Sequence, residues 1–92
     1  MKITATDKTI HEIAKIEVER MNRLIELNAI DVNEIDLNHI DVSKVTNMNE
    51  LFMNMEFKKP VNLMSWDFKN LINSIDFCKS SDITVNPEKW RF

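Results

Sequence analysis

Two rhythms of apolar and polar positions divide the chain. In the first third, Ile10, Ala14, Val18, Met21 and Ile25 follow one another at steps of four, four, three and four. Side chains at that spacing share one face of an α-helix. Ile13 and Leu24 widen the stripe, while Lys15, Glu19, Arg20, Arg23 and Glu26 fall largely on the other side. Thr9 and Glu12 have the spacing of a capping box, in which hydroxyl and carboxylate each close a free backbone N–H. Asn28 is a suitable stop. The pattern predicts a helix over about 10–27, preceded by a short extended piece at Lys2–Ala5. An amphipathic helix can serve a membrane surface or a partner helix. Here the rest of the chain needs a cover, so the stripe reads as the lid of its own domain.

After Asn28 the period changes. Ile30, Ile35, Ile40 and Val45 fall five residues apart, and Asp31, Asp36 and Asp41 follow the isoleucines. Neither a helix nor a simple strand has that period. Three triplets, Ile35-Asp36-Leu37, Val61-Asn62-Leu63 and Ile83-Thr84-Val85, each place two apolar residues around a polar one, the pattern of a very short strand. They recur 26 and 22 residues apart. A second bulky pair follows each: Ile40 with Val42, Trp66 with Phe68, Trp90 with Phe92. The pieces between, 46–53 and 70–77, look helical, and Val45, Asn47 and Leu51 align with Leu71, Asn73 and Phe77 at a shift of 26. A repeat of that length alternating strand and helical turn is the pattern of a leucine-rich-repeat solenoid. The expected fold is therefore α+β: one domain over 1–92, with an N-terminal amphipathic capping helix (1–28) on a short leucine-rich-repeat-like solenoid of two to three coils (29–92). Trp90-Arg91-Phe92 is expected to cover the far end, since the ends of such stacks need caps.

The stretch "DLNHIDVSKVTNMNELF" (36–52), followed by "SWDFKNL" (65–71), resembles the repeats of BspA-type leucine-rich-repeat proteins, known also from mycoplasma surface lipoproteins. Their unit reads roughly W-D-V-S-x-V-T-x-M-x-x-M-F. Here Ile40-Asp41-Val42-Ser43-Lys44-Val45-Thr46-Asn47-Met48 matches it, Leu51-Phe52 closes the unit and Trp66-Asp67-Phe68 opens the next. The second unit is eroded at Lys69–Ser74, and the glycines common in the family's linkers are missing. The chain looks like a trimmed, stand-alone member, so surface adhesion is not carried over. The pentads "IDVNE-IDLNH-IDVSK" also resemble pentapeptide-repeat proteins, whose square helix can mimic DNA. Three pentads are less than one coil of four, and isoleucine is bulky for the inward position, so this stands as the alternative.

Composition adds charge. The 92 residues carry net charge −3 and no glycine, but eleven asparagines, which are expected to take over turn positions. Residues 30–56 hold Asp31, Glu34, Asp36, Asp41, Glu50 and Glu56 against Lys44 alone. Such a block disfavours direct nucleic-acid binding and suits a basic protein surface. In Leu51–Phe57, the residues Leu51, Phe52 and Phe57 are expected in the core, leaving Met53 and Met55 for an interface, because methionine adapts to partners.

Catalytic patterns are missing. Without glycine there is no phosphate-binding loop. His11 and His39 lack ligand-spaced partners, Cys78 stands alone and reads as a small buried residue, and Asp36, His39 and Ser43 are too close along the chain for a triad. No apolar run approaches a membrane span and no secretion signal is visible, so the expected location is cytoplasmic. The expectation is a non-enzymatic protein-binding module without cofactor. It is pictured as a small acidic bacterial or phage-encoded inhibitor, anti-CRISPR-like, docking on a host protein with a basic nucleic-acid-binding surface, without contacting nucleic acid or membrane itself. The expected partner-binding residues are Asp31, Glu34, Asp36, Asp41, Met53, Met55 and Glu56. A self-associating assembly protein, a homodimer for instance, is the rival.

Overall fold

The 3.6-residue stripe becomes a single helix, α1, over Ile10–Glu26 in the computed structural model, which describes residues 2–53, 55–75, 77 and 83–89. Ile10, Ala14 and Val18 are fully buried, and burial of Ile10 and Val18 stabilises by about 1.5–3 kcal/mol each. The capping box does not form. Thr9 already has near-helical backbone angles and makes no side-chain cap bond. The first turn starts earlier: Thr6 O accepts from the N–H groups of Thr9 and Ile10, and Thr9 Oγ1 accepts from Thr6 N–H at 2.9 Å. The C-terminus ends as expected. Asn28 takes φ 56°, its N–H reaches Ile25 O and Ala29 N–H reaches Leu24 O, a Schellman motif.

The strands are two or three residues long: β1 Ile3–Thr4, β2 Ile35–Asp36, β3 Ile40–Asp41, β4 Val61–Leu63 and β5 Ile83–Val85. All pair in parallel. β1 lies on β3, with Ile3 opposite Ile40, and β2-β4-β5 form a separate sheet with Ile35, Val61 and Ile83 in line. The apolar triplets thus align as their spacing predicts.

The solenoid does not follow from that alignment. The described residues form a small mixed α/β globule of one helix and two small parallel sheets, with no closed repeat among them. The described residues of 46–53 and 70–77, expected to be helical, hold turns and one isolated parallel bridge, Asn47 to Asn73. Side-chain chemistry explains the difference. Asn and Asp offer the backbone an alternative hydrogen-bond partner and so disfavour helix. Asn47 Oδ1 accepts from Asn49 N–H, and Asn49 Oδ1 accepts from Ile75 N–H. Nor is there a pentad coil, since Ile35 and Ile40 belong to different sheets. α1 is not just an end cap either. It runs along residues 39–58, through His39, Asn49, Glu56 and Lys58, and shares one core with them. Trp90-Arg91-Phe92 and Cys78 lie outside the described residues.

That core holds an aromatic cluster. Phe52, Trp66, Phe68 and Phe77 place ring centroids 5.6 to 6.4 Å apart. Trp66 Nε1–H donates to Leu37 O at 2.9 Å, so the one polar atom of the indole is satisfied in the interior.

Candidate functional site

The five-residue beat resolves into a division of labour. Ile35, Ile40 and Val45 are buried. The polar residue after an inward-facing apolar one makes a turn: Asp36 accepts from Asn38 N–H, Asp41 from Ser43 N–H, Asn62 from Met64 N–H, Asp67 from Lys69 N–H and Asn86 from Glu88 N–H, all at 2.9–3.0 Å. These Asx turns do by side-chain bonding what glycine does by conformational freedom. Asn28 is the only asparagine with positive φ among the described residues; the other such residue is Glu50.

The seven candidate residues fall in separate places. Asp31 is exposed. Glu34 and Asp36 lie by the outer face of the β2-β4 pair, where Glu34 accepts from Asn62 Nδ2 at 2.7 Å. Asp41 lines a cleft with Asp67. Met53, Met55 and Glu56 come together in a groove of about 470 Å³ whose other wall is α1, with Lys15, Val18, Glu19 and Asn22. Leu51 and Phe52 are buried and Phe57 is half-buried against the core.

The groove is pinned by one side chain. Asn22 Nδ2–H donates to Glu56 O at 2.7 Å, and Lys58 N–H donates to Asn22 Oδ1 at 2.9 Å, so an amide on α1 pairs with the far wall as a strand would. Glu56 meets Lys58 at 3.0 Å, and that hydrogen bond and charge raise the Lys58 pKa. Met53 is 42% exposed and Met55 half-buried. The groove is apolar at Val18, Met53 and Met55 and charged at Lys15, Glu19 and Glu56.

Two charged clusters escape the sequence reading. Glu17 is the one buried charged residue among those described. Its Oε1 lies 3.0 Å from His39 Nε2 and its Oε2 accepts from Arg20 Nε–H at 2.8 Å. Burial pushes its pKa up, but the bonds from His39 and Arg20, with their charges, bring it below the ordinary value. The signal was present: position 17 lies on the apolar stripe between Ala14 and Val18, where an acid must find a partner. Asp7 accepts from Thr46 Oγ1–H and Thr46 N–H, both at 2.6 Å, and from Asn47 N–H at 3.1 Å. The Thr46 hydroxyl, then its N–H, hold the Asp7 carboxyl below its usual range.

Among the described residues no three His, Cys, Asp or Glu side chains are grouped to hold a metal ion. No helix among them is long and apolar enough to cross a membrane. A family model described as "Mycoplasma protein of unknown function, DUF285" matches residues 2–90. No curated protein and no solved structure matches the chain.

Proposed function

This chain belongs to the DUF285 family of mycoplasma proteins of unknown function, and from its geometry we propose that it is a non-enzymatic protein-binding module whose contact site is the groove between α1 and residues 53–56. The observation that supports this reading is the pairing of Met53 and Met55 with Val18 across a preformed groove held by Asn22. Methionine is common at adaptable binding surfaces, and a groove fixed in advance lowers the ordering cost of association. The partner offers an apolar side chain next to basic groups. Glu19 on the rim makes no ion pair among the described residues, and residues 30–56 carry the acidic excess.

The resemblance to BspA-type repeats agrees with a recognition role. Charge favours an acidic inhibitor that occupies a basic, nucleic-acid-binding surface of a host protein. A second reading, self-association, is favoured by one observation: Ile72 and Ile75 are large apolar residues 69% and 66% exposed.

Site-specific photo-crosslinking in the host separates the two. A crosslinker at Met53 is expected to capture one protein reproducibly. Capture is expected to fail when Glu19→Trp fills the groove from its exposed rim and to persist with Ile72→Glu. Capture of a second copy of this chain from position 72, with a concentration-dependent sedimentation coefficient, would replace the module reading by self-association.

A further inference from the structure

The methionines among the described residues sort into three depths. Met48 is fully buried in the core, Met21 and Met55 are partly buried against it, and Met53 and Met64 are 42% and 41% exposed. Met53 and Met64 are equally open to solvent, yet only Met53 lies in the groove along α1. Met64 follows β4 and lines neither wall of that groove. A thioether open to solvent is converted by mild oxidants to a polar sulfoxide, and the change is reversible. The apolar lining of the groove is Val18, Met53 and Met55, so oxidation at position 53 alters a large share of it.

The same change leaves the fold in place. Met53 is not among the residues packed on the core, whereas Met48 is part of it. Leu51 and Phe52, both buried, anchor the segment from within. Backbone bonds shape the rest: Met53 N–H donates to Glu50 O at 3.1 Å and Met55 N–H to Phe52 O at 3.3 Å. An oxygen on the Met53 sulfur disturbs none of these. Inside the groove it does matter. The Asn22 amide is already turned to Glu56 O and Lys58 N–H, and Lys15 stands exposed at the rim. The sulfoxide oxygen is left to water, which an apolar side chain entering the groove has to strip away.

We propose that Met53 is a redox switch of this groove: a hydroperoxide converts it to the sulfoxide and shuts out apolar side chains, and a thiol-dependent reductase reopens it, an inference that rests on the binding role of the groove. The sulfur lone pair takes one oxygen of hydrogen peroxide. The O–O bond breaks, the S–O bond forms, and the second oxygen leaves as water with both protons. Sulfur loses the two electrons that the peroxide gains. Two thiols reverse the step and leave as a disulfide and water.

The test follows the Val18, Glu19 and Asn22 amides of the full chain while N-acetyl-leucine amide, a neutral probe, is added before and after treatment with hydrogen peroxide. Peptide mass mapping is expected to place the first added oxygens on Met53 and Met64, with Met48 untouched and the denaturant midpoint unchanged. The parent is expected to bind the probe at least about tenfold more weakly once oxidised, and methionine sulfoxide reductase with dithiothreitol to restore binding. In Met53→Leu the affinities before and after peroxide are expected to agree, whatever their level, and Met64→Leu is expected to respond as the parent does. Equal affinity before and after with Met53 oxidised, a peroxide response that survives Met53→Leu, or unfolding at the first added oxygen overturns the switch and leaves the groove as a binding site. No saturable shift in the reduced chain overturns the groove itself, and the switch falls with it.

Discussion

Glu17 Oε1 sits 3.0 Å from His39 Nε2, and this contact ties α1 to the turn between β2 and β3. His39 also receives β1, since its carbonyl accepts from Ile3 N–H at 2.8 Å. Helix, first strand and central turn therefore meet at one residue, His39. Glu17→Ala is expected to cost about 2 kcal/mol, the scale of a lost charged hydrogen bond, lessened because Arg20 and His39 are partly open to water. The contribution depends on pH with a fixed sign. The folded pKa lies below the ordinary 4.5, so the stabilisation is complete above about 4.5 and disappears as pH falls through the folded value. Asp7 and Asp41 act in the same direction below their ordinary 3.8. Urea unfolding near neutral pH and again below pH 3.8 is expected to show a smaller acid-induced loss in Glu17→Gln than in the parent.

Trp66→Phe probes the core independently. It removes the donor to Leu37 O and leaves space among Phe52, Phe68 and Phe77. An orphaned buried carbonyl and a partial cavity together predict a loss of about 2–4 kcal/mol. Denaturant midpoints followed by circular dichroism measure it. A loss under about 0.5 kcal/mol would mean that water replaces the indole at Leu37 O.

The Asx turns separate charge from fold. An asparagine oxygen accepts from the same N–H as an aspartate oxygen, and the chain uses both. The triple change Asp31→Asn, Asp36→Asn and Asp41→Asn is expected to leave stability within about 0.5 kcal/mol. Asp36→Ala alone is expected to cost about 1 kcal/mol, the worth of a capping-type bond. Thermal unfolding checks both, and the triple variant then reports on the acidic block in any binding assay without a folding artefact.

Local periodicity made α1, its Asn28 stop and the alignment of the three triplets legible, because each is set by residues within a few positions or by a constant shift. The solenoid was misread for a non-local reason. Whether 46–50 winds into a helix depends on where its N–H groups go. Those of Thr46 and Asn47 go to Asp7, nearly forty residues earlier, and those of Met48 and Glu50 to Asn73 O and Ile75 O, about one repeat later, while that of Asn49 has the local acceptor Asn47 Oδ1. No window of sequence shows the distant acceptors. The candidate groove was half legible: an excess of apolar side chains exposes Met53, but the opposite wall at Val18 and Asn22 comes from α1. Glu17 was legible in principle as a charge on an apolar stripe.

Asp7 gives the last prediction. Its two oxygens take three donors from Thr46 and Asn47, and it stands between β1 and α1. On the other flank of the same segment, Ile72 and Asn73 N–H donate to Thr46 O. Asp7 therefore acts as a one-residue edge strand for 46–47, and the order of that segment depends on it. Asp7→Ala frees two backbone N–H groups and one hydroxyl at the surface, where water replaces them, so the global cost is expected to be modest, about 1–2 kcal/mol. The local effect is larger. Amide exchange at Thr46 and Asn47 is expected to quicken well beyond that global change, while Trp66 and the rest of the core slow-exchange as before. Asp7→Asn keeps one accepting oxygen but turns an NH2 toward the other donors, and is expected to fall between the parent and Asp7→Ala. Equal protection of Thr46 in all three proteins would show that the segment is ordered by the Asn73 side alone.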